Sequence, residues 1–189
     1  METLEPFSPA PNRTATPVPT NGREHRGSAE AVRTALVPNA TCQHRSLRIP
    51  TVTATEFFDL TDYLERLVAD AGLRFGFVNV QSLHTTTAIV INEKEPLLHA
   101  DFASLLEKTA PRDTAYRHDD PAVRTVNLTP DERVNGHAHC RALLLGTSAC
   151  LNIVDGRLHL GRWQRVFFVE LDGPREREIS IMMLGETCR

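Results

Sequence analysis

Leu83-His84-Thr85-Thr86-Thr87 sets an imidazole and three consecutive hydroxyls inside a long apolar, strand-like stretch. Such groups are costly to bury unless each finds a partner. His118 and His139 follow in polar settings. Three neutral imidazoles that meet around one point make a zinc-type centre with an open position. An ion held there polarises a phosphoryl or carbonyl oxygen, or lowers the pKa of bound water to about 7. Spacing alone favours a plainer alternative, three unrelated histidines, because no HxxxH or HxH element links them. The remaining histidines sort away from the set. His25 and His44 lie in or beside the N-terminal tail, and His99 lies beside an apolar helical stripe. His159 alternates with Leu158 and Leu160 and faces solvent or a neighbour. His137 is two residues from His139, about 200° round a helix, so the two cannot serve one ion.

Carboxylates and donors give this set possible partners. Asp101 falls between Leu98 and Leu105 at helical spacing, which turns it toward the core, and Glu93 follows Asn92 at a strand end. Either would orient an imidazole or act as a general base. Glu170 shares an apolar face with Val166 and Phe168; pairing with an arginine across the turn, Arg175 or Arg177, is its simpler role. Thr85, Thr86, Thr147, Ser148, Gln164 and Arg175 are candidates to hold an anion such as phosphate. For Thr the alternative is that it is simply a good strand residue. No P-loop, GxGxxG, GxSxG or HExxH is present.

The elements that must position these groups read as α+β with a mainly antiparallel sheet or sandwich, about three helices and one domain. A strand is expected over 44–53. A helix follows from a Thr61 cap to Gly72, then one bent strand or two over 76–92. Period two along that run puts Val78, Val80, His84, Thr86, Ala88 and Val90 on one face. Pro96 opens a second helix that Pro111 ends, and 111–133 is a long loop of the functional kind. Asn135 caps a third helix containing His139, with Gly146 at its end. Ala149–Val154, a turn at Asp155-Gly156, Trp163–Leu171 and Arg177–Leu184 complete the strands. Residues 1–40, rich in Pro and Thr, are expected to be a disordered tail, and 41–189 the folded domain.

The 189 residues are 41% hydrophobic with a net charge of −3. That suffices for a core and offers no basic stripe for nucleic acid. No apolar run is long enough for a bilayer. Cys42, Cys140, Cys150 and Cys188 form no CxxC pair, which points to a reducing, cytoplasmic setting.

Taken in order, these segments resemble the YjbQ-like family, described as secondary thiamine-phosphate synthase enzymes. The resemblance runs from His84-Thr85-Thr86 into Ile91-Asn92-Glu93, Asp101 and Tyr116-Arg117-His118-Asp119. It continues through His139, Leu145-Gly146-Thr147-Ser148, Gly156, Gly161, Trp163-Gln164, Glu170 and Asp172-Gly173-Pro174-Arg175. It covers about residue 45 to the C-terminus. The resemblance implies a compact α+β domain assembled as a homotrimer, with His84, His118 and His139 in one cleft holding a divalent metal. Zinc is the first expectation, and magnesium the expectation for a pyrophosphate substrate. The implied reaction joins a pyrimidine pyrophosphate to a thiazole phosphate. In that frame Asp101, Glu93 and Thr86 do catalytic work, while Thr85, Ser148, Gln164 and Arg175 bind a small anionic substrate. A metal-dependent hydrolase and a non-catalytic trimeric anion- or metal-binding module are the rival readings. Trp163 and Phe167 on one strand face suit either a subunit contact or the core.

Overall fold

The computed structural model describes residues 40–187. The tail expected over 1–40 lies outside them, save its last residue. Eight strands form two antiparallel sheets. The larger, in the order β1-β8-β3-β5-β6, contains β1 (Ala40–Pro50), β3 (Leu73–Ser82), β5 (Ser148–Val154), β6 (Arg157–Leu158) and β8 (Glu176–Thr187). The smaller, β2-β7-β4, contains β2 (Glu56–Asp59), β4 (Thr87–Asn92) and β7 (Arg165–Glu170). Helices α1 (Thr61–Asp70), α2 (Pro96–Thr109) and α3 (Gly136–Leu145) complete the α+β domain.

Strand β7 explains the layering. Its run Val166-Phe167-Phe168-Val169 is buried throughout, as expected of a central strand covered on both faces. Val166 and Phe168 face the larger sheet and α1, where they meet Leu64, Val78, Val80, Ile179 and Ile181. Phe167 and Val169 face α2 and α3, where they meet Leu106, Ala138 and Ala142. The smaller sheet is therefore the middle layer. Phe167 belongs to the core. Trp163 precedes β7 in an exposed loop, so the two do not share a strand face.

Local signals set several boundaries. Asp155 and Gly156 take φ of 49° and 81°, as a two-residue hairpin joining β5 and β6 requires. Pro96 opens α2 behind Glu95, whose carboxylate accepts the Leu97 and Leu98 N–H groups. Thr61 is the first residue of α1 rather than its cap: its hydroxyl accepts Val166 N–H at 2.8 Å, while Asp59 accepts Thr61 N–H.

One correction bears directly on function. His84, Thr85 and Thr86 are not on a strand. They form the turn in which the chain leaves the larger sheet at Ser82 and enters the smaller at Thr87. The Ser82 and Thr87 hydroxyls are hydrogen-bonded to each other across the base of this turn, and Ser82 Oγ accepts the His84 N–H. The polar run is therefore the linker between two layers, where side chains reach a cleft.

Candidate functional site

The site is built on a buried ion pair. Arg177, on β8, donates through Nε and Nη2 to the two carboxylate oxygens of Glu170, at the end of β7, each at 2.6 Å. Glu170 also accepts the Leu171, Asp172 and Gly173 N–H groups and the Thr51 hydroxyl. Burial pushes the Glu170 carboxyl up, but these donors, Arg177 foremost, outweigh it and hold the group below its ordinary range. Glu170 is therefore a structural anion paired with Arg177. The guanidinium goes on to donate to Thr86 Oγ1 at 3.1 Å, which fixes the turn onto the pair.

His84 is set by the same strand. Its Nε2 accepts the Glu178 N–H at 2.8 Å. A backbone amide can only donate, so Nε2 is unprotonated and the neutral ring carries its proton on Nδ1. Burial, then the Arg177 charge, lowers the His84 pKa.

His118 and His139 arrive from the loop and from α3. Their ring centroids are 4.4 Å apart at 61°. Asp119 brings them together: its Oδ1 accepts both the Asn135 and Gly136 N–H groups at 2.9 Å, tying the short 3₁₀ turn Arg117–Asp119 to the start of α3. Gly136 permits this approach, since a Cβ there would stand 2.5 Å from Tyr116 Cβ. His118 Nε2 accepts from Arg124 Nη1 at 3.1 Å, so its proton too sits on Nδ1. His139 is half-buried, and its ring has no hydrogen-bond partner among the described residues. Burial, then the neighbouring His118, lowers its pKa. His137, on the opposite side of α3, is fully buried, as the helical spacing requires.

These groups line a polar cleft of about 460 Å³. Of the sequence-predicted residues, His84, Thr85, Thr86, His118, His139 and Arg175 line it. Asp101, Glu93, Ser148 and Gln164 do not. Leu105 is 61% exposed, so the buried stripe of α2 runs through Phe102 and Leu106 and leaves Asp101 in solvent. Glu93 stands beyond the far end of β4, roughly 20 Å of extended chain from Thr86. Ser148 is exposed at the start of β5, paired with Gln81. Gln164 closes its own loop on the Gly161 N–H.

Spacing gives no role to Arg124, Asn127 or Glu132; it gives Asn135 only as a helix cap and Arg177 only as a partner for Glu170, a pairing the structure has. Arg124 and Glu132 pair at 2.9 Å inside the long loop. Arg124 and Thr129 hold the Glu132 carboxyl at about 2. Arg124 also donates to the Val126 and Asn127 carbonyls, so one guanidinium organises the loop. Asn135 makes no cap bond with its side chain; its amide donates to Asp172, which also pairs with Arg175. For Arg124, Asn127 and Glu132 the signal in the sequence is the length of the loop.

The UPF0047 protein YjbQ-like family profile matches residues 45–186. The chain belongs to this family. A UPF0047 protein of Methanothermobacter thermautotrophicus is 38% identical over 142 residues, covering 75% of this chain and 92% of that one. One from Archaeoglobus fulgidus is 40% identical over 138 residues, covering 73% and 98%. The crystal structure of a YbjQ-like protein of unknown function from Sulfolobus solfataricus P2 matches with a TM-score of 0.70 and 31% identity, covering 78% of this chain and all of that one.

The expectation of a three-imidazole zinc centre meets a specific obstacle in this family member. The three rings do share one cleft. However, His84 and His118 each spend the Nε2 lone pair on a donor and carry a proton on Nδ1, so neither has a free lone pair for an ion. Among the described residues, no group of three His, Cys, Asp or Glu side chains is arranged to hold a metal. The residues as arranged do not fit that centre. What they do present is a row of N–H and O–H donors beside a single free imidazole.

Proposed function

We propose that this protein is an enzyme acting on a small phosphorylated or pyrophosphorylated substrate, with His139 as its general acid–base. The observation that carries this reading is the division of labour among the imidazoles. Two are locked as N–H donors by partners that cannot accept, while His139 is neutral at pH 7, half-buried and free to exchange a proton. His84, whose Nδ1 carries its proton, Thr85, Thr86 and Arg175 are donor-bearing residues that line the cleft. Together they suit the non-bridging oxygens of a phosphoryl group. Glu132, ionised at any working pH and paired with Arg124, orients that arginine and is not an acid.

Transfer that joins a pyrimidine pyrophosphate to a thiazole phosphate is one reaction of this class, with magnesium arriving as part of the pyrophosphate substrate. Hydrolysis of a small phosphate ester is the other. The test is calorimetric titration of wild type and His139→Ala with phosphate and pyrophosphate, alongside turnover of a phosphate-ester and pyrophosphate panel. Binding in both proteins with turnover only in wild type supports the enzyme. Tight binding with no turnover by either favours a non-catalytic anion-binding module.

We further propose that the chain works as a homotrimer in a reducing cytoplasm. The outer face of the larger sheet exposes Phe75, Phe77, Met182 and Leu184, with Phe77 and Leu184 directly paired, an apolar surface suited to a second copy. Cys42, Cys140 and Cys150 are free thiols. Light scattering of wild type and Phe77→Glu reads the assembly. No helix among the described residues is long and apolar enough to cross a membrane.

A further inference from the structure

The loop that walls the cleft has two unlike sides. Arg124 and Glu132 face the polar cleft. A second cavity of about 470 Å³ shares His118 and Glu132 with the cleft; Pro121, Leu128, Pro130 and Val134 give it apolar surface, beside Asp119, Thr129 and Arg133. The two cavities therefore meet at the His118–Glu132 wall. Leu128 is 47% exposed and Val134 71%. Large aliphatic side chains left at the surface of a pre-formed cavity gain when an apolar group covers them. Arg124 braces the loop in this shape through Val126, Asn127, His118 and Glu132.

Given the anion site proposed above, we infer that the ligand is an alkyl phosphate, whose phosphoryl head sits among the donors of the cleft and whose short branched aliphatic body crosses the His118–Glu132 wall into the second cavity. The chemistry of the walls selects this class. Among the residues lining the second cavity there is no Phe, Tyr or Trp for a planar ring to stack on, and His118 is the sole aromatic ring. Leu, Val and Pro surfaces suit saturated carbon. The cavity is far larger than a methyl group, so methyl phosphate leaves it unused, whereas a five-carbon branched chain covers Leu128 and Val134.

The experiment is calorimetric titration of the full chain with inorganic phosphate, methyl phosphate, isopentyl phosphate and phenyl phosphate at constant ionic strength. It is repeated with Leu128→Ser/Val134→Ser, whose side chains are exposed and whose folding is checked by thermal unfolding. Isopentyl phosphate is expected to bind at least tenfold more tightly than methyl phosphate to wild type. The double variant is expected to lose that gain and keep its affinity for methyl phosphate. Equal affinities for isopentyl and methyl phosphate overturn the inference while leaving the anion site standing. So does a gain that survives the double substitution. Phenyl phosphate binding as tightly as isopentyl phosphate overturns the aliphatic assignment. Failure of every phosphate to bind overturns both this inference and the anion-site reading.

Discussion

The two walls of the cleft are made of similar residues and have opposite characters. On one wall, Glu170, Arg177 and Thr51 are buried, and the carboxylate of the pair accepts from backbone and side-chain donors at once. On the other, the Arg175 Nε and Asn135 Oδ1 atoms are buried without a partner among the described residues, and the His139 ring has none among them either. The carboxylate of that pair has its acceptors filled, and the pair serves to hold two sheets in register. An unsaturated wall stores interactions that a ligand can complete. The first wall should therefore govern stability and the second binding, and substitutions ought to separate the two.

The largest effect on stability is expected from Glu170→Ala. It strands the Arg177 guanidinium at 2% exposure and removes the acceptor for three backbone N–H groups. Breaking a buried pair from one side costs about 3–5 kcal/mol. Denaturant unfolding should show a loss of that order, and an unchanged midpoint would refute the saturated-wall account. Asp119→Ala comes next. It removes the acceptor for Asn135 and Gly136 N–H at the start of α3, a loss of capping worth about 1 kcal/mol, and it frees His118 from His139. Unfolding reads the first effect, and loss of a nuclear Overhauser contact between the two rings reads the second.

What was legible in the sequence follows the same divide between local and distant causes. The Asp155-Gly156 hairpin and the Pro96 start of α2 depend on residues within a few positions, and so did the opposed directions of His137 and His139. The α+β class is also legible, and His84, His118 and His139 line one cleft. The run 76–92 reads as one bent strand or two, and the structure has two, but a period of two carried through His84 and Thr86 does not place the turn between the two strands. The break comes from the Ser82–Thr87 contact and from Glu178, far along the chain. Asp101 was misplaced because Leu105 carries an apolar side chain into solvent, which rotated the inferred stripe. Arg124 and Glu132 leave no spacing signature, whereas the pairing of Glu170 with Arg177 follows from their places on either side of one turn.

A smaller effect is expected from pH, and its sign is fixed. His84, His137 and His139 all have lowered pKa values in the fold, burial being the main cause for each. Unfolded, each returns to about 6.5. Below that value the unfolded chain binds more protons than the native one, so stability falls as pH falls from 6.5 through the lowered native values. It is fully present above 6.5. Thermal melts should be flat in this contribution from pH 7 to 8 and decline toward pH 5. His137→Phe, which removes the imidazole buried beside Arg112 and Arg141, should flatten part of that decline. A melting temperature that rises on acidification would contradict the assigned neutral rings.

The smallest effect on stability is expected exactly where the effect on function is largest, at His139. Its ring gives up no hydrogen bond on truncation, so His139→Ala should stay within about 0.5 kcal/mol of wild type, the range of substitutions that break no buried contact network. Turnover of any substrate the wild type accepts should nevertheless fall by about 100-fold or more, the usual contribution of a positioned acid–base. Phosphate affinity should hold, because the donors belong to His84, Thr85, Thr86 and Arg175. The same protein tests the metal reading. With His84 and His118 committed to Glu178 and Arg124, zinc should raise the melting temperature of neither form and chelator should lower neither. A zinc-dependent rise in wild type that His139→Ala abolishes would show instead that the rings reorganise around an ion. The free wall would then be a ligand set and not an acid–base.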